Sequence, residues 1–249
     1  MKQFMPDNSY SLIEKVAQGF GDLNKKVFYL GGSTLSLYVP KYASAHNRVV
    51  GEVDCILGSM ALNDYFQWEE WLIERGFVKE EEINQFQHRW RYDGIAVNIL
   101  ARNREILGYN HRWLDEGIFH AQSYPIAEGL NIRSFTPAYF IAAKIESFLN
   151  KAGGDFRTSE DFEDLMFVLD NRPQIVEELC QSFYEVRNYI QHHFMRFLMS
   201  PTLEEGLYYV LPFGTDELHV NHIRSLLQAI VDHKPSLEAV PHYRQAVAF

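Results

Sequence analysis

Apolar residues recur at three- and four-residue spacing near the start of the chain. Leu12, Ile13, Val16, Ala17 and Phe20 predict an amphipathic helix over 8–23. The short apolar run Val27-Phe28-Tyr29-Leu30 predicts a buried strand that stops at Gly31-Gly32-Ser33-Thr34. A helix is expected over 35–39, ended by Pro40, and then a loop over 41–47. Alternation within 49–57 predicts a second strand, with Val53, Cys55 and Leu57 on one face and Glu52, Asp54 and Ile56 on the other. A helix over 62–75 ends at Gly76, and 77–82 reads as a short edge or loop. Residues 85–92 and 95–100 read as a hairpin across Asp93-Gly94, a strong turn pair. A helix over 113–121 and a hairpin over 123–132 follow.

After Arg133 the texture becomes helical. Thr136-Pro137 supplies an N-cap and a proline at the first helical position, which predicts a helix to about Lys151, before Gly153-Gly154. Ser159 caps a helix over 160–169, a long helix runs from Pro173 to about Met199, and a loop-rich stretch precedes a last helix over 216–231. The expected class is therefore α+β: a mixed sheet flanked by helices in residues 1–132, then a helical domain in 133–249.

Composition narrows the function without naming it. In 249 residues, 23 Lys and Arg face 33 Asp and Glu, a net charge of −10. That balance excludes a general polyanion binder, while leaving room for a local basic path beside an acidic pocket. Cys55 and Cys180 form no CxxC pair, which fits a reducing cytoplasm. Neither a signal-peptide pattern nor an apolar run near the roughly 20 residues of a membrane span is present, so a cytoplasmic location without membrane contact is expected. His192-His193 and His219-x-x-His222 lack a third ligand, so neither pair reads as a metal site.

The candidate chemistry sits at the first strand–turn–strand unit. Gly31 and Gly32 let backbone N–H groups approach a phosphate closely, and Ser33 adds a hydroxyl at the start of the next helix. Glu52 and Asp54, two residues apart on a strand, place two carboxylates on one face, a pairing that suits Mg²⁺ together with substrate phosphates. Either motif alone is most often a plain turn or a solvated strand face. Their order, strand, Gly-Gly-Ser, helix, then an acidic strand, is far more specific.

That order, Leu30-Gly31-Gly32-Ser33 followed by Arg48 to Asp54, resembles the signature of the polymerase-β-type nucleotidyltransferase superfamily, and within it the AbiEii-like branch. Gly108 to Trp113, Thr136 to Lys144, Gly153-Gly154-Asp155 and Asp161 to Leu165 resemble further segments of that branch, so the likeness spans about residues 10–175. The resemblance implies a polymerase-β-like fold and transfer of NMP from an NTP to an acceptor hydroxyl, with RNA such as tRNA the expected acceptor. It also implies a toxin role, with an antitoxin protein as partner. By the same resemblance Gly31, Gly32 and Ser33 bind the nucleotide, and Glu52 and Asp54 hold Mg²⁺ or Mn²⁺, in a two-metal reaction. Lys144 reaches the triphosphate, and Asp161 or Asp164 orients it. One departure stands out. The third carboxylate of the pattern is replaced by Asn98, whose amide accepts no proton. The alternative reading is therefore a nucleotide- or partner-binding relative of weakened catalysis. Arg89, Arg91, Arg102, Arg104 and Arg112 form a possible basic path for RNA, with solvated hairpin charges as the plainer reading.

Overall fold

The computed structural model describes residues 8–44, 51–57, 62–80, 87–100, 112–151 and 153–234. The chain opens with α1 (Asn8–Phe20), a 3₁₀ turn, β1 (Val27–Leu30), a 3₁₀ helix over Gly32–Leu37 and α2 (Lys41–Ser44). Then come β2 (Glu52–Leu57), α3 (Leu62–Glu74), β3 (Val78–Lys79), β4 (Gln87–Tyr92) and β5 (Ile95–Leu100). The middle of the chain holds α4 (Arg112–Phe119), β6 (Gln122–Ala127) and β7 (Leu130–Ser134). Six helices follow: α5 (Pro137–Lys151), α6 (Glu160–Asn171), α7 (Ile175–Gln181), α8 (Tyr184–Leu198), α9 (Leu203–Val210) and α10 (Glu217–Asp232).

The strands form one seven-stranded mixed sheet in the order β3-β4-β5-β2-β1-β7-β6. β1 is antiparallel to β2 and parallel to β7, and β2 is parallel to β5. The protein is thus α+β, with helices flanking a mixed sheet. Alternation along the strands divides the apolar residues between two cores. Val27, Tyr29, Val53, Cys55, Leu57, Val97 and Trp90 pack with Ile13, Val16 and Phe20 of α1 and Trp68 and Leu72 of α3. Phe28, Leu30 and Ile56 point the other way and pack with the helices from α4 to α10. Fully burying each such large apolar side chain contributes roughly 1.5–3 kcal/mol. The second face of the sheet is therefore glued to the helical half, and any cleft on that face has one wall of strand and one of helix.

Several expected elements change on packing. The helix expected over 35–39 is a 3₁₀ helix that begins earlier, at Gly32. The loop after Pro40 starts with the single helical turn α2. The long helix from Pro173 to Met199 is two helices. Ser182 turns extended (φ −67°, ψ 167°), and its hydroxyl donates to Leu179 O at 2.6 Å, taking a carbonyl that a continuing helix would need. Arg187 then donates to Cys180 O and Ser182 O across the break. The loop-rich stretch after Pro201 contains α9, whose two turns are too short to register as a period. α9 buries Leu203, Gly206 and Leu207, and a side chain at Gly206 would collide with Phe156. Asp93 and Gly94 both have positive φ (46° and 78°), as the tight hairpin requires.

Candidate functional site

Gly31 ends β1 in a conformation (φ 71°, ψ −165°) that favours glycine. A Cβ there would also collide with Asp54 Oδ2, so the acidic strand and the glycine turn fit together only because residue 31 has no side chain. The turn closes on itself. Ser33 Oγ donates to Leu30 O at 3.2 Å, and Thr34 Oγ1 donates to Gly31 O at 2.8 Å. Ser33 is 1% exposed, so its hydroxyl holds the turn rather than facing solvent, while Gly31 and Gly32 border open space.

Strand register lines up the polar residues. Leu30 pairs with Asp54, Asp54 with Asn98, and Asn98 with Arg89, a row across β1, β2, β5 and β4. Asn98 Nδ2 donates to Asp54 Oδ1 at 2.8 Å. Glu52, two residues before Asp54, has Arg89 Nη2 3.6 Å from its Oε2. Burial raises the Asp54 carboxyl above its usual value; the Asn98 hydrogen bond, Lys144 and Lys151 pull down against it, and Glu52 adds to the rise.

The opposite wall is helical. Lys144, Ser147 and Lys151 recur at three and four residues along α5 and share one face, while Ile141, Ile145 and Phe148 enter the core. Lys144 Nζ donates to Asp161 Oδ1 at 2.8 Å and to Asp164 Oδ2 at 2.5 Å, and Ser147 Oγ donates to Asp161 Oδ2 at 2.6 Å. Burial pulls the Lys144 ammonium down, yet Asp164 and Asp161 together hold it above its usual value. Burial pushes Asp161 up, and Lys144 with Ser147 outweighs that and holds it below the carboxylate range. Asp161 is placed by α6, whose N-cap Ser159 accepts from Phe162 N at 3.2 Å, a cap worth about 1 kcal/mol.

The two walls enclose a cleft of about 780 Å³. Its polar part is lined by Gly31, Gly32, Glu52, Asp54, Arg89, Lys144, Lys151 and Asp161, and its apolar part by Tyr38, Leu114, Phe135 and Phe140. Residues 113 positions apart in sequence, Gly31 and Lys144, thus border one space. Asp164 is 1% exposed, does not line the cleft, and pairs with Lys144, which does. Lys151 and Ser147 were not among the residues singled out from sequence. Their spacing from Lys144 on one helix face was the available signal.

Other sequence candidates lie elsewhere. Arg91 pairs with Glu80, and Arg112 lies over the Trp113 ring at 4.6 Å, so the described arginines form no open strip. Arg48, Arg102, Arg104 and residues 108–111 lie outside the described residues. Asp155 pairs with Arg157 at 3.0 Å, and Asp93 with Lys15 at 3.2 Å. His219 Nε2 is 2.8 Å from Asp170, away from the cleft. No helix among the described residues is long and apolar enough to cross a membrane. Among them, no group of three or more His, Cys, Asp or Glu gathers as for a metal ion. No family model matches the chain, and no curated protein matches it significantly.

Proposed function

We propose that the cleft binds a nucleoside triphosphate with one divalent ion and transfers its nucleotidyl group to an acceptor hydroxyl. The observation that carries this reading is the meeting of the Gly31-Gly32 turn and the Glu52/Asp54 pair with Lys144 and Lys151 across one cleft. The position of β2, between the strand that leads into the glycine turn and the strand that carries Asn98, supports a polymerase-β-type assignment of the sheet. Glu52 and Asp54 are two hard oxygen ligands on one face, which suits a single Mg²⁺ or Mn²⁺ completed by substrate phosphates; among the described residues no third carboxylate joins them on that face, where Asn98 stands beside Asp54.

In this reading Glu52 and Asp54 hold the ion, which would neutralise developing charge on the phosphate oxygens. The Gly31-Gly32 backbone lets a phosphate lie close to the turn. Lys151, exposed at the mouth, meets the outer phosphates. Lys144, locked between Asp161 and Asp164, keeps a third donor for the triphosphate. The acceptor oxygen bonds to the α-phosphorus, the bond from that phosphorus to the bridging oxygen breaks, and pyrophosphate leaves. Asn98 accepts no proton, so the hydroxyl proton passes to Asp54 or to solvent. RNA, including tRNA, is the acceptor class to test first, and a toxin role held in check by an antitoxin protein belongs to the same reading. Asn98 favours one second reading, nucleotide binding without turnover.

The test is label transfer from each α-labelled NTP to total RNA and protein, with Mg²⁺ or Mn²⁺. Wild type is expected to transfer label and Asp54→Ala to fall to background. Label in Asn98→Asp alone would favour the binding reading, and no label in any variant would overturn transfer.

A further inference from the structure

The polar row that crosses the sheet does not stop at Asn98. It continues onto Arg89, which lines the same cleft as Glu52 and Asp54. The face therefore presents two carboxylates, one neutral amide and one guanidinium. The guanidinium is held loosely by its neighbours. Nη2 is 3.6 Å from Glu52 Oε2, beyond hydrogen-bond distance. Nε is 3.1 Å from Glu80 Oε2 yet buried and not aligned for a hydrogen bond. Glu80 is also shared with Arg91, which takes its other oxygen. Among the described residues two arginines thus face these two glutamates, and most of the Arg89 donors take no hydrogen-bond partner. Its base is rigid, because the flanking Trp90 is 1% exposed in the core on the other side of β4. Arginine keeps its charge at any working pH and presents a planar fork that fits phosphate oxygens.

We propose that Arg89 is a phosphate-contacting residue that supplies, from the protein itself, the positive charge a second divalent ion would bring. The proposal rests on the nucleotide-binding reading above. The guanidinium turns from Glu52 toward a nonbridging oxygen of the bound triphosphate, while Glu52 and Asp54 keep one divalent ion. Along the row Asp54 is followed by the neutral Asn98 amide and then by this fixed cation, so the charge beside the carboxylates comes from the protein itself.

The probe is inorganic tripolyphosphate, titrated calorimetrically into the full chain in EDTA, with Mn²⁺ stoichiometry measured separately beside a non-hydrolysable NTP. Wild type is expected to bind tripolyphosphate without divalent ions, and Arg89→Gln to bind about tenfold more weakly or worse. Arg89→Lys retains part of the affinity. Glu80→Gln retains all of it, an outcome that a merely structural Arg89–Glu80 pair would not give. Wild type takes one Mn²⁺ per chain, and the double variant Arg89→Gln with Asn98→Asp takes two. Unchanged tripolyphosphate binding in Arg89→Gln, or two Mn²⁺ in wild type, overturns the role of Arg89 and leaves nucleotide binding standing. Failure of wild type to bind tripolyphosphate or NTP, with or without Mg²⁺, overturns the nucleotide reading and this proposal together.

Discussion

Gly31 carries two demands at once. Its backbone lies in the left-handed region, and Asp54 occupies the space a side chain would need. A Gly31→Ala substitution meets both, so it should cost about 1–3 kcal/mol from backbone strain alone, with displacement of Asp54 added. The expected result is a lower unfolding midpoint together with loss of triphosphate binding. Gly76→Ala is the control. It has φ 84° but nothing within 4 Å of an added Cβ, so it should be destabilising while leaving binding intact.

At the scale of elements, α5 and α6 are joined by a buried charge cluster. Lys144 and Asp164 have side chains 10% and 1% exposed, and Asp161 is 15% exposed. Lys144→Met removes the ammonium that sits between the two aspartates, and breaking a buried pair in this way costs about 3–5 kcal/mol. Chemical denaturation would read it directly. The pH dependence follows from the directions of the shifts. Asp161 holds its proton less tightly when folded than when unfolded. Its contribution is thus complete above its ordinary value of 3.8 and lost as pH falls through the lower folded value. Lys144 works in the opposite sense: its contribution is present below 10.5 and lost as pH rises through its higher folded value. The urea midpoint should therefore fall below about pH 4 more steeply in wild type than in Asp161→Asn.

At the scale of the whole molecule, the cleft exists because the sheet and the helical half are held in register. Arg172, just past α6, pairs with Glu178 through two hydrogen bonds and donates to Tyr38 O at 2.7 Å, at the end of the glycine turn's 3₁₀ helix. The Ser134 hydroxyl donates to Tyr29 O at 2.8 Å, and the single proton of the Tyr38 hydroxyl has two acceptors in reach, Ser134 Oγ at 3.0 Å and Phe135 O at 3.1 Å. One guanidinium thus ties the turn of one wall to the helices of the other. Arg172→Met should cost about 1.5–3 kcal/mol in stability. It should also weaken triphosphate binding, although Arg172 does not line the cleft, and calorimetry alongside thermal melting would separate the two effects.

Most of the secondary structure and the acidic half of the site were legible in the amino-acid order, because both depend on short-range periodicity. Alternation placed Glu52 and Asp54 on one face and Val53, Cys55 and Leu57 on the other, and the caps at Thr136-Pro137 and Ser159 marked where α5 and α6 begin. The break at Ser182 and the helix α9 escaped, since each turns on one hydroxyl or on close packing against Phe156 rather than on a period. Which side chains share a strand or helix face follows from local geometry and can be read along the chain. Which faces meet depends on packing between distant segments. Strand register set Asn98 and Arg89 beside Asp54, and packing of Phe28, Leu30 and Ile56 against the helices brought Lys144 and Lys151 over them. Those contacts join residues far apart in the chain, and they form only when the hydrophobic faces on either side are buried together.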